Sequence, residues 1–306
     1  MSEANRVSLT IAEENVTYGV PTTTGDFETI SYTSQNIASN PQTTISSTLK
    51  SNRMVSDLAL VGSQVSGAIQ LEAQQGDAFD MMLEAALMGS WTANALTAGT
   101  TERSFSIETG FTDWSPVQYL QYLGMRCGGF SLNVAYGSIV TGEFQFAGKE
   151  ATSTGSIASG GAAINPASSS PVFNGSSGVS VIELDSTTMT TVRSLSLNLT
   201  NNLRPIEAIG TLGPSDQAAG RSLLTGSVDM YFEDLTQYNK LLNSTACAIS
   251  FTLSDGTKTY NFSMPNVKWN DGNPAVTGID TDVMLNMNFT ALETSAGDTQ
   301  ITITRT

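Results

Sequence analysis

The 306-residue sequence predicts a mainly β protein made of two tandem β-sandwich or open-barrel units, each with one flanking α-helix and one long loop. Three observations carry this. Period-two alternation recurs along the chain, from Val65-Ser66-Gly67-Ala68-Ile69-Gln70-Leu71-Glu72 to the run through Val283, Leu285, Met287 and Phe289; it is the mark of strands with one buried face. Helical period is confined to two short stretches, Phe79, Met82, Leu83, Ala86, Leu87 and Leu235, Tyr238, Leu241, Leu242. The second strand and helix repeat the first at a fixed distance: Gly67 and Gly226 stand 159 residues apart, and so do Phe79 and Tyr238.

In order along the chain, residues 1 to about 26 read as an arm, charged at Glu13-Glu14 and broken by Gly19, Pro21 and Gly25. Phe27 to Thr33 is the first expected strand. Ser34 to Val61 is polar with little alternation, and a connection of that length points to a function or to pairing outside the unit. Asp77 and Asp80 open the first helix, where carboxylates satisfy free N–H groups and the dipole. Arg103 to Phe111, Tyr119 to Leu123, Phe130 to Val134 and Gly142 to Gly148 supply strands; in the last, Phe144 and Phe146 share one face and Glu143 and Gln145 the other. Ala151 to Ser180, rich in Ser, Gly and Ala without an apolar period, reads as a linker or ordered loop between the two units. Thr191 to Thr200 alternates strictly and leads into a polar loop, Asn201 to Arg221. The repeated strand and helix follow, then Cys247 to Leu253, which turns at Asp255-Gly256 into Thr259 to Met264. The expected division is 1–150 for arm and first unit, 151–180 for linker, and 181–306 for the second unit.

Composition narrows the chemistry. There is no histidine, the commonest general base and metal ligand. No nucleophile elbow, phosphate-binding glycine loop or metal-ligand spacing occurs, so no catalytic, cofactor or metal residue is assigned. Cys127 and Cys247 occupy non-equivalent places and read as buried thiols. Asp280-Thr281-Asp282 follows Gly278 and reads as a turn. Trp91, Trp114 and Trp269 are anchors of core or interface, or else binding platforms. A formal net charge of −15 with only 13% charged residues argues against a nucleic-acid affinity module, though not against a surface past which nucleic acid slides. No stretch is apolar and long enough for a membrane span.

Tyr122-Leu123-Gly124, Phe130-Ser131-Leu132-Asn133-Val134 and Val140 to Gly148 resemble the major tail tube proteins of long-tailed, siphovirus-like bacteriophages. The Glu14 to Pro21 run with Tyr18-Gly19, the pair Arg53 and Asp57, and Val65-Ser66-Gly67 before the Phe79 helix fit the same family in the same order. The resemblance implies a virion structural protein, assembled in the host cytoplasm. It implies self-association into rings that stack as a hollow tail, meeting tail terminator, tape-measure and distal tail proteins, with double-stranded DNA passing through unbound. It brings no catalytic residues. The alternative classes are a β-sandwich binding or decoration module, for carbohydrate or a capsid or tail surface, and a hydrolase with a carboxylate pair.

Within the tube reading, Glu72, Glu143, Asp229 and Asp282 are the candidates for the lumen wall, each an acid on the face opposite an apolar row. Arg53 and Arg221, with Asp57, are the candidates for contacts between rings, through the loops Ser34 to Asp57 and Asn201 to Arg221. Two units per chain imply three chains in a pseudo-six-fold ring; a six-chain ring with the second unit outside is the rival.

Overall fold

In the computed structural model, the described residues are 3–14, 17–22, 26–52, 54–154, 163–276, 278–294 and 299–306, without the side chains of 180 and 181. The first half runs Val7–Glu13 (β1), Phe27–Thr29 (β2), Ser34–Gln35 (β3), Ala38–Ile45 (β4), Leu58–Glu72 (β5), Asp77–Leu87 (α1), Ala95–Thr97 (β6), Phe105–Phe111 (β7), Gln118–Ala135 (β8), Thr141–Gly148 (β9) and Glu150–Thr154 (β10). The second runs Ile164–Asn165 (β11), Val179–Leu184 (β12), Thr187–Thr188 (β13), Val192–Thr200 (β14), Arg204–Ile206 (β15), Asp216–Ala218 (β16), Leu223–Tyr231 (β17), Thr236–Leu242 (α2), Cys247–Ser254 (β18), Thr259–Ala275 (β19), Met284–Ala291 (β20) and Thr302–Arg305 (β21).

Two long strands organise both halves. The first part of β8 pairs with β7 and β10 in an outer sheet that also holds β1 and β2, while its second part lies between β9 and β14. β19 does the same: its first part pairs with β18 and β21, its second with β20. Each strand carries a one-residue bulge at the same place, Gly128 opposite Phe146 and Asn270 opposite Phe289; a bulge bends and twists the strand locally. The pairing order of the first half recurs in the second, β5–β9–β8 as β17–β20–β19 and β1–β7–β8 as β12–β18–β19. The helices begin at Asp77 and Thr236, with the same spacing as the two glycines. Those glycines are needed for close approach. A Cβ on Gly67 would lie 2.4 Å from Ile37 Cα, and one on Gly226 would lie 2.3 Å from Ser196 O and 2.4 Å from the Phe289 ring.

β14 joins the halves. It pairs with β17 on one side and with β8 on the other, from Thr200–Gly129 to Ser194–Ala135. The inner sheet is therefore continuous in the order β4–β5–β9–β8–β14–β17–β20–β19. Alternation puts Val65, Ile69, Phe144, Phe146, Leu132, Leu197, Val228 and Phe289 on its buried face, where they meet the outer sheets in one core.

Several expectations are corrected. The arm contains β1, whose Leu9 and Ile11 are fully buried and which pairs with β7 over its whole length. Tyr119 to Leu123 and Phe130 to Val134 are one strand: Gly124 and the glycines near the bulge bend β8 without ending it. Of the two readings of 151–180, the described part follows the ordered loop and not the free linker. β11 runs parallel to β2, Val172 bridges Gln74, and Phe173 is fully buried against Tyr260. The polar segments Ser34 to Val61 and Asn201 to Arg221 hold the hairpins β4–β5 and β15–β16.

Asp80 is not a capping residue. The helix N-cap is Gly76, and Asp80 is buried where α1 meets the second half. Its carboxylate accepts a hydrogen bond from Tyr260 Oη at 2.6 Å and an ion pair from Arg305, whose guanidinium lies 4.3 Å from the centre of the Trp91 ring. β21, which delivers Arg305, pairs with β19 and with β6 of the first half. The C-terminal strand thus clasps both halves. Burial pushes the Asp80 carboxyl above its ordinary value, against the pull of Tyr260 and Arg305.

Arg305→Leu removes the charge partner and leaves a buried carboxylate, a change that costs about 3–5 kcal/mol. A group whose folded pKa lies above its unfolded one gains stability as pH falls, so the loss in this variant is largest near neutral pH and shrinks as pH drops through the raised value. Asp80→Asn in the same chain should recover part of it. Thermal denaturation of both variants at neutral and mildly acidic pH measures the difference; an unchanged melting temperature for Arg305→Leu would show that the clasp carries no load.

Candidate assembly surfaces

The face of the inner sheet opposite the core is polar across both halves. One row in register runs Gln70, Glu143, Ser131, Asn198, Thr225, Thr290. The next runs Glu72, Thr141, Asn133, Ser196, Ser227, Asn288, Asp271. Side chains link across strands: Gln70 Nε2 donates to Glu143 Oε2 at 2.9 Å, Gln145 Nε2 to Glu143 Oε1 at 3.3 Å, and the Ser196 and Ser227 hydroxyls meet at 2.8 Å. These bonds tie Gln70, Glu143 and Gln145 into one group and Ser196 and Ser227 into another.

Of the four acids singled out from the sequence, Glu72, Glu143 and Asp229 lie on this face. Asp282 precedes β20 in an exposed loop and is outside the ladder. Asp271, which the sequence reading missed, stands in register with Ser227 and Glu72 through Asn288; its bulged strand hid the parity. Lys268, opposite Thr290, reaches Ser244 Oγ at 3.5 Å.

The two ends of the inner sheet are open. No described strand pairs with the outer edge of β4 or with that of 268–275 in β19. Each edge carries a proline, Pro41 and Pro274, the residue tolerated where an N–H would face solvent. Beyond the sheet the β4–β5 hairpin projects with both strands exposed near its tip, and bears Ile45, Leu49, Met54, Val55, Leu58, Leu60 and Val61. Leu49 is 99% exposed. Asp57 closes this tip by accepting Ser46 N on its backbone oxygen at 3.0 Å; Arg53 lies outside the described residues.

The loop 201–221 behaves differently, because it is tied to its own chain. Asn201 Nδ2 donates to Ala86 O and Cys127 O, at 2.8 and 3.1 Å. Buried Arg126 pairs with Asp216 at 2.9 Å and Glu102 at 2.5 Å, and its face meets the Tyr18 ring at 5.2 Å. Ser63 N donates to Leu212 O at 2.8 Å, and Gln64 Nε2 to Glu207 at 3.4 Å. Arg221 stays exposed at its end. The sequence signalled a long loop, but nothing local marked Arg126 as its anchor, since the partners are remote in the chain.

Among the described residues no cluster of potential metal ligands occurs, and no helix is long and apolar enough to cross a membrane. Trp91 and Trp269 are packed inward, Trp91 against Tyr260 and Trp269 edge-on to Phe289; Trp114 is 47% exposed, stacked on Phe111. Both thiols are buried and free.

What these surfaces define is a structural β protein whose unfilled features are strand edges and apolar projections. The chain belongs to the phage tail tube protein family, whose model matches residues 4–291. Among curated proteins, none matches it. It is a structural tail tube protein, and its place is the virion tail.

Burial pushes the Cys127 thiol up to about 12 and the Cys247 thiol up to about 11. The thiolate is the reactive form, so neither should react with a thiol reagent at pH 8 in the native protein, and both should react in denaturant. A native-state titration that counts even one fast thiol would contradict the burial described here.

Proposed function

We propose that this chain is the major subunit of a long phage tail, in which copies form rings and rings stack into the conduit for genome ejection. The observation that carries the reading is the continuous inner sheet, one face core and the other an unbroken polar surface, open at both ends. The recurrence of strand order, bulge and glycine in the two halves supports a tandem duplication of one tube unit, about 1–150 and 181–306. Two units with a shared sheet offer eight strands to a wall, and three chains then supply twenty-four. At about 4.8 Å between strands and a tilt near 40°, such a barrel has a backbone diameter of about 50 Å, wide enough for duplex DNA.

In this reading the polar face lines the lumen, with Glu72, Glu143, Asp229 and Asp271 as its acids; Asp282 lies toward a rim. Neutral hydroxyls and amides with acids among them, and Lys268 turned to Ser244 Oγ, give DNA phosphates little to grip, and screening limits the repulsion to about 10 Å at roughly 0.1 M salt. The β4–β5 hairpin is the arm toward the next ring, since it is exposed and apolar along its whole tip, whereas the loop 201–221, although it exposes Ile209, is anchored to its own chain through Arg126, Asn201 and Leu212. Arg53, Asp57 and Arg221 are assigned to that ring-to-ring contact. The ends of the tube meet the tail terminator, tape-measure and distal tail proteins.

Negative-stain microscopy with symmetry averaging tests the reading on the purified chain: rings or tubes with three chains per ring are expected. Six chains with the second half projecting outward would reject the tandem wall, and persistent monomers that bind sugar through Trp114 would reject the tube. Deleting residues 47–56 should leave a folded subunit that forms rings but no long tubes, and normal tubes from that deletion would move the stacking contact elsewhere.

A further inference from the structure

The seam between the two halves is a worked example of how one tube unit meets the next, and it leaves matching surfaces unfilled at the two ends of the chain. Two features fix the correspondence. The bulges align 127–134 of β8 with 269–276, and the close-approach glycines align 194–200 of β14 with 34–40, because Ser194–Asp229 and Asn198–Thr225 match Ser34–Gln70 and Ala38–Ser66.

The seam has a strand part and a helix part. In the strand part, Asn201 N donates to Gly128 O and Tyr136 N to Arg193 O, at 2.8 and 3.0 Å. This makes Leu199–Phe130, Leu197–Leu132 and Leu195–Val134 the hydrogen-bonded pairs and Asn198–Ser131 and Ser196–Asn133 the non-hydrogen-bonded ones. In the helix part, α1 of the first half caps one end of the second outer sheet. Phe79 meets Tyr260 edge-on at 5.6 Å, and Leu253, Tyr260 and Phe262 are fully buried there.

The equivalent surfaces on the outside of the chain are bare. The positions of Leu253, Tyr260 and Phe262 fall on Phe111, Gln118 and Leu120 of the first outer sheet. Phe111 is half-buried, Leu120 is 36% exposed, and exposed Trp114 stacks beside them. On α2, Tyr238 and Leu242 stand where α1 has Phe79 and Leu83; Leu83 is fully buried and Leu242 is 66% exposed. An apolar helix face at one end of the chain and an apolar sheet end at the other are what remains when a seam is cut.

We propose that a second copy of this chain fills both. The 271–276 edge of one copy pairs antiparallel with β3–β4 of the next, and α2 of the first copy seats on the Phe111–Trp114–Leu120 end of the second. The transferred register is specific. Asp271 faces Asn40, Asn273 faces Ala38 and Ala275 faces Asn36 in non-hydrogen-bonded pairs, while Gly272 faces Ser39 in a hydrogen-bonded one. Pro274 falls opposite Ile37 and makes neither ladder bond there: proline has no N–H for Ile37 O, and Ile37 N–H is held by Gln35 Oε1 at 2.9 Å, so the ladder is carried by the pairs on either side. Face parity is kept, since Ala38, Asn40, Asp271 and Asn273 all lie on the polar side. This contact rests on the ring reading above and supplies its side-to-side interface.

The test is a double cysteine, Ala38→Cys with Asn273→Cys, at a non-hydrogen-bonded pair suited to a disulfide; Asn36→Cys with Ala275→Cys is an independent second pair. Within one chain the two sites lie at opposite ends of an eight-strand sheet, about 30 Å apart, and the native thiols are buried. Under mild oxidation the proposal expects covalent multiples of the chain, ending at the closed ring, on a non-reducing gel. Leu242→Asp and Leu120→Asp, both at exposed positions, should leave the melting temperature of the monomer unchanged and each abolish rings at concentrations where the parent chain forms them. Rings that form without either cross-link, or that tolerate both aspartates, overturn this interface and leave the ring reading standing. If the parent chain forms no rings, reading and interface fall together.

Discussion

The antiparallel ladder between β8 and β14 is the constraint on which the rest depends. An unpaired strand edge is a liability in water, because its N–H and C=O groups invite any passing strand. Joining the halves edge to edge satisfies two such edges inside one chain and makes a single sheet of what would otherwise be two. Everything placed across that line follows from it: the shared core, the capping of the second outer sheet by α1, and the pairing of β21 with β6. Two edges of the inner sheet are still open at its ends, each tempered by a proline.

The Asp80 cluster shows what burial does to a polar group at such a junction. A carboxylate taken out of water needs a partner of opposite charge and its remaining lone pairs filled. Here Arg305 and Tyr260 come from the second half, Trp91 from the first shields the guanidinium, and Trp91 Nε1 itself donates to Asp80 O at 3.3 Å. The family match ends at residue 291, so β21 and Arg305 lie beyond it. The clasp belongs to the part of the chain that the family pattern does not describe.

Strands with one wet and one dry face were legible in the sequence, because alternation encodes them directly: β5, β9, β14, β18 and β20 fall where the period puts them. The helices were legible for the same reason, and the spacing of 159 residues holds for glycine and helix start alike. Of the elements covered on both faces, β7 was found, but β1 and the full run of β8 were not. β1 has no exposed side to alternate with, and it was read as an arm. β8 crosses from one sheet to another, so its apolar pattern shifts phase at the bulge and looked like two strands. Asp80 and Arg126 carry their meaning through partners far along the chain, as did the packing of Phe173. No window of local sequence contains that information. Of the four acids singled out, three share the polar face of the inner sheet, and Asp271 on the same face was passed over because a bulge resets the parity.

The covalent seam also changes the order of the assembly reaction. In the proposed ring, half of the unit-to-unit contacts form during folding, where the partner is always present at the effective concentration of a tethered neighbour. Only the other half depend on encounter. Closing such a ring therefore scales with the third power of subunit concentration instead of the sixth, which makes nucleation far less sensitive to dilution early in infection. The same tether makes alternate positions around the ring chemically distinct, so a change on one half decorates the tube with three-fold, not six-fold, periodicity.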